Sequence, residues 1–211
     1  MKSQRLKNVS FVILLLQMCF VFAQQKVVVI DVGHGGSDTG AIGVNGIQEK
    51  DVVLKIANEI LGLNKNLLNN QFDMSLTRYK DTLISLTDRS RLAKRLDADV
   101  FVSLHCNASS NSSKGMEVYI HNLDSENTKT SIGLGLSILN EATQKLGFKK
   151  RGVKFADFQV LREAGDYPAL LVELGFMTNS DEADYFLKTK NIRAMALAAL
   201  LGITNYLKLG L

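Results

Sequence analysis

The chain has 211 residues, 46% of them hydrophobic, and a formal net charge of +4, enough for one domain with a sizeable core. Residues 1–23 carry Lys2, Arg5 and Lys7 and no acid, which leaves 22 basic against 21 acidic residues in the remainder. That balance excludes the one-sided basic footprint of a nucleic-acid binder.

In chain order, a basic stretch (MKSQRLK) precedes an apolar run over residues 9–23. The run is shorter than the ~20 apolar residues of a spanning helix. Val21 and Ala23 suit a cleavage site before Gln24, so 1–23 reads as a secretory signal and 24–211 as a single exported domain, without stable membrane insertion. Cleavage removes Cys19 and leaves Cys106 alone, so no intrachain disulfide is expected. Residues 26–31 predict a strand that ends at Gly33-His34-Gly35-Gly36. After a turn signal at Asn45-Gly46, residues 49–68 predict a helix, with Val52, Val53, Ile56, Ile60, Leu63 and Leu67 in one stripe. A strand at 74–78, a helix at 87–96 and a strand at 100–105 follow; the last carries His105 into a polar loop. Neighbours on a strand face opposite sides, so Cys106 should point away from whatever His105 serves. Residues 116–121 predict a strand, 130–146 a helix and 159–162 a strand. Pro168 opens a strand at 169–174, and residues 181–207 predict a helix with a break near 189–191. Strands alternating with helices indicate an α/β three-layer sandwich, its sheet mostly parallel (mixed) with about six strands.

Three apolar runs end at His34, His105 and Glu173. If they are parallel neighbours, their carboxyl ends share one sheet edge, where ligand sites of open α/β sheets form. Two histidines and one carboxylate, with a position left open, form a ligand set used by catalytic zinc. Glu49, at a helix start, supplies the carboxylate. On its own it reads equally as a dipole partner. A half-buried Glu173 suits a general base, or a structural partner for Arg78 or Arg89. His121 reads as a surface-turn residue outside the metal set. Arg78 and Arg162 each read either as a grip for a peptide carboxylate or as a plain ion-pair partner.

The segments VVVIDVGHGGSDTGAIGVNGIQEKDVVLKIA, SLTRYKDTLISLTDRSRLA, ADVFVSLHCNAS, GMEVYI and PALLVELGFMTNSDEADYF, in this order, resemble the zinc-dependent N-acetylmuramoyl-L-alanine amidases (the type 3 amidase domain). The resemblance covers essentially residues 26–211. It implies one Zn²⁺ per chain held by His34, Glu49 and His105, with a zinc-bound water as nucleophile and Glu173 as catalytic base. The implied substrate is peptidoglycan, cut between N-acetylmuramic acid and L-alanine in the periplasm or at the cell exterior. A monomer is expected, and an activating protein is left open. Val32, Lys94 and Cys106 stand where the family more often has proline, asparagine and alanine, but none removes a ligand. Three alternatives stay open: a secreted zinc peptidase, a non-catalytic peptidoglycan-binding module, and a non-haem Fe(II) site, which uses the same donor set.

Overall fold

A run of β-branched residues makes one of the central strands. Val27–Val32 (β1) is buried from Val28 onward, the pattern of a parallel strand covered on both faces. The computed structural model describes residues 25–110, 113–122 and 125–209. The stretch 1–23 expected to be a secretory signal, with the expected cleavage site before Gln24, lies outside the described residues. After β1 come α1 (Glu49–Leu67), β2 (Asp73–Leu76), α2 (Leu86–Arg95), β3 (Val100–Asn107) and β4 (Met116–Ile120). Then follow α3 (Glu126–Leu146), β5 (Lys150–Phe155), α4 (Gln159–Arg162), β6 (Ala169–Phe176), α5 (Ser180–Tyr185) and α6 (Thr189–Leu209).

The six strands form one sheet in the order β2-β1-β3-β6-β4-β5. Strands β2, β1, β3 and β6 are mutually parallel. Strand β4 runs antiparallel to β6 and parallel to β5. The sheet is therefore mixed and flanked by helices, as expected. The carboxyl ends of β1, β3 and β6 share one edge, and the amino ends of β4 and β5 meet them there.

One face of the sheet carries Val28, Ile30, Val102, Leu104, Val118 and Val172 into the main core. Helix α1 covers it with Val52, Val53, Ile56, Ile60 and Leu63, the stripe read from the sequence. Helices α3 and α6 pack beside it, and Cys106 is buried in this core, as alternation requires. The other face has a smaller cluster, Val29, Phe101, Ala169 and Leu171 under Ala93, Val160 and Leu161. It covers only part of the sheet. Side chains terminate several elements locally: Ser85 accepts the Asp88 amide at 3.1 Å at the start of α2, and Asn179 accepts the Glu182 amide at 3.2 Å at the start of α5.

Two expectations fail. Residues 159–162 form a single helical turn, not a strand, because Val160 and Leu161 both bury against the smaller cluster, which one turn of helix allows and an alternating strand does not. Residues 150–155, assigned no element from the sequence, form the edge strand β5. The helix expected over 181–207 is broken as anticipated, but at 186–188, just before the expected 189–191, which open α6. No described helix is long and apolar enough to cross a membrane.

Candidate metal centre and its cleft

The site begins where β1 ends. Gly33 lies so close to β3 that an added Cβ would fall 2.6 Å from His105 Cε1, so only glycine fits. His34 then adopts φ 58°, a left-handed conformation that costs of order 1–3 kcal/mol and persists only when the surroundings enforce it. Two buried arginines enforce it. Arg78 donates to the carbonyls of Val32, Gly33, Lys50 and Lys80. Arg89 donates to the His34 carbonyl at 2.7 Å and pairs with buried Asp31 at 2.8 Å. Ser103 and Thr77 hydroxyls complete the partners of Asp31. Arg78 is therefore spent on backbone, and Arg162 pairs with Asp157 at 2.8 Å. Neither Arg78 nor Arg89 pairs with Glu173, so the structural reading of that carboxylate has no support.

His34, Glu49 and His105 converge, with one ligand atom from each within 4.8 Å of the others. Glu49 Oε1 lies 3.0 Å from His34 Nε2 and 3.0 Å from His105 Nδ1. Tetrahedral zinc with Zn–N and Zn–O bonds near 2.0–2.1 Å sets its ligand atoms roughly 3.3 Å apart. Three such donors turned to one point fit that ion. Glu49 is fixed from behind: its Oε1 accepts the Cys106 amide and its Oε2 the Ala41 amide, each at 2.8 Å. His34 is oriented by Asp38, whose Oδ2 sits 2.8 Å from Nδ1 and leaves Nε2 for the centre. Asp38 was not singled out from the sequence, although a carboxylate four residues past a loop histidine was the available signal. Burial opposes ionisation of Glu49, but hydrogen bonds from His105 and His34, and their charge, outweigh it and hold the pKa at about 2. Burial also opposes protonation of His34. Glu49 and Asp38 overcome that and raise its pKa above the usual value.

Glu173 on β6 is the register partner of His105 on β3, so both side chains rise from the same face. Its Oε2 is buried and has no hydrogen-bond partner among the described residues, a state that fits a group kept for catalysis or for a bound water or ion. Burial first, then the charges of Glu49 and Glu117, push its pKa to about 8 against the pull of His34. A cleft of about 370 Å³ joins His34, Glu49, His105 and Glu173, with Leu86 and Phe158 as apolar walls. A second groove, about 580 Å³, leaves the same histidines past Asp38, Leu83 and Asp88. His121 stays outside, 3.5 Å from Asp157.

Residues 28–205 match the family model described as N-acetylmuramoyl-L-alanine amidase. The chain is similar to the endolysin of Bacillus phage SPP1, 39% identical over 87% of this chain and 67% of that protein. It is 41% identical to the N-acetylmuramoyl-L-alanine amidase CwlM of Bacillus licheniformis, over 79% of this chain and 63% of the relative. The chain thus spans about two thirds of the length of these relatives. Among solved structures, the catalytic domain of the amidase CwlV from Bacillus (Paenibacillus) polymyxa superposes with a TM-score of 0.78 at 33% identity, covering 87% of this chain and 99% of that one.

Proposed function

This chain belongs to the N-acetylmuramoyl-L-alanine amidase family, and from that premise we propose that it hydrolyses the muramoyl–L-alanine amide of peptidoglycan as a zinc enzyme with Glu173 as general base. The observation that carries the reading is the pairing of a convergent His34/Glu49/His105 set with an unpartnered, half-buried carboxylate on the adjacent strand. His34, Glu49 and His105 would hold one zinc ion. Bound there, zinc supplies a Lewis acid that brings the pKa of water toward ~7 and polarises a carbonyl.

The chain's own residues do the rest. Glu173 accepts a proton from the attacking water as its oxygen bonds to the lactyl carbonyl carbon. The C–N bond then breaks, and Glu173 returns the proton to the departing alanine nitrogen. Burial raises its pKa to about 8 in the metal-free site, and the charge of a cation held beside it would bring that value back toward neutrality, where both halves of the exchange are served. Leu86 and Phe158 give the cleft apolar walls against which the substrate packs. Asp38 keeps the His34 ring in register. Peptidoglycan lies outside the cytoplasmic membrane, so the enzyme works in the periplasm or at the cell exterior, which accords with a cleaved signal segment at 1–23.

The test is digestion of purified peptidoglycan, with chelator and with zinc added back, reading the new chain ends. Peptides with free N-terminal alanine, lost with chelator and restored by zinc, are expected. New reducing sugar ends, or cleavage of casein in preference to peptidoglycan, would contradict the assignment.

A further inference from the structure

The floor of the cleft does not stop at Glu173. Glu117 on β4 is the register partner of Glu173, so the polar face continues across β4 to the edge strand β5. Glu117 is 2% exposed and fully used. Its Oε1 accepts Asn107 Nδ2 and the Tyr119 hydroxyl, each at 2.8 Å. Its Oε2 accepts Arg151 Nε at 2.7 Å and the Lys154 ammonium. Asn107 lines the cleft, and Tyr119 stacks edge-on against Phe158 of the cleft wall at 5.4 Å.

Two cations serve one carboxylate here, where one would balance it. Lys154 reaches it from the regular ladder opposite Tyr119, and Arg151 from a register irregularity. The β4–β5 register slips between Met116 and Glu117, whose partners are Lys150 and Gly152, so Arg151 has no partner in the ladder. Such a bulge re-aims a side chain that would otherwise face away. Arg151 is anchored through Nε alone and lies 4.9 Å over the Phe176 ring. Among the described residues its two Nη atoms have no hydrogen-bond partner, and its side chain is 27% exposed. An arginine fixed by Nε with both Nη donors free is a fork preset for a carboxylate.

We propose that Arg151, with Lys154 beside it, binds a carboxylate of the stem peptide carried two or three residues beyond the scissile amide. The proposal rests on the amidase reading above. Strands lie about 4.8 Å apart, so β4 and β5 stand roughly 5 and 10 Å from Glu173 along the sheet. An extended peptide advances about 3.3–3.6 Å per residue, which puts the second or third residue over the cations. The assignment also sets the direction of binding. The other groove carries Asp38 and Asp88, and its one arginine, Arg89, is already paired with Asp31, so it would repel a carboxylate and takes the uncharged sugar side. Arg78 and Arg162, the arginines singled out from the sequence, are committed elsewhere and do not serve this role.

The experiment compares two synthetic muramoyl tripeptides, one with free carboxylates on its second and third residues and one with carboxamides at both. Wild-type protein should cleave the carboxylate form with a KM roughly ten- to hundredfold lower and a similar kcat. Arg151→Lys keeps the ion pair with Glu117 but removes the fork, and Lys154→Met removes the second charge. Each should raise KM for the carboxylate form and leave the carboxamide form unchanged. Equal KM for both substrates in wild type, or variants that lose kcat equally on both, would overturn the proposal while leaving the amidase reading intact. Failure of wild type to cleave either substrate would remove the amidase reading and this proposal with it.

Discussion

The two faces of the sheet are built from the same strands and obey different rules. In β3, Val100, Val102, Leu104 and Cys106 enter the main core, while Phe101, Ser103, His105 and Asn107 face the other way. The first face is apolar from end to end and closed by α1, α3 and α6. The second is apolar only near the amino ends of β1, β3 and β6, and at their carboxyl ends it becomes Ser103, His105 and Glu173. There the structure accepts a left-handed His34 and an unpartnered Glu173 oxygen. Stability is concentrated on one face and reactivity on the other, with a period of two residues between them.

Adjacent residues of β3 can break that contrast. His105→Ala should leave the metal with two ligands. Metal content after dialysis should fall below one per chain, and amide hydrolysis should drop by well over a hundredfold, since even outer-shell losses reach ~10–100-fold. The unfolding midpoint of the metal-free protein should fall only by the share of Glu49 anchoring that His105 supplies, less than for a core truncation. Leu104→Ala should do the reverse, lowering stability by about 3 kcal/mol through lost burial and a residual cavity. Denaturant unfolding should show that loss while turnover per folded molecule holds. If both variants lost stability alike, the division between the faces would be wrong.

Smaller effects sharpen the picture within the site face. Asp38→Ala removes the partner of His34 Nδ1 together with the acceptor of the Gly40 amide, so zinc affinity, read by competition with a chelator, should weaken roughly ten- to hundredfold. A further effect is on the pH dependence of stability. The pKa of Glu173 rises from 4.5 to about 8 on folding. Between those values the folded state holds a proton that the unfolded chain has released. The stability this gives is complete below about pH 4.5 and is lost as pH rises through about 8. Metal-free wild type should therefore lose thermal stability relative to Glu173→Gln between pH 5 and pH 8. A constant gap between the two would remove the raised pKa.

Much of this arrangement is legible in the sequence, and the gaps have physical causes. His34, His105 and Glu173 each close an apolar run, so the shared edge follows from parallel pairing. Glu49 could be placed at a helix start, but its role depends on the histidines it meets. Period-two alternation placed Cys106 in the core. Strand β5 left no signal because KRGVKF is an edge strand with every residue exposed or half-exposed, so neither face imposes an apolar pattern. The segment 159–162 has the composition of a strand, and only its docking on the smaller cluster makes it a helical turn. MEVYI alternates well enough to put Glu117 opposite the core. Its register with Glu173 comes from the antiparallel pairing of β4 with β6, a long-range choice that no local pattern records. The arginines gave the least: Arg78 lies beside a strand end, yet its guanidinium goes to backbone carbonyls, while Arg151 is aimed by a bulge.

The central claim is that one face separates metal holding from proton transfer, the first by His34, Glu49 and His105 and the second by Glu173. Zinc content and peptidoglycan turnover, measured on the same preparations of wild type and Glu173→Gln, test it directly. The account predicts one zinc per chain in both proteins and turnover in wild type alone. A Glu173→Gln protein that still turns over, or that no longer holds zinc, would contradict it.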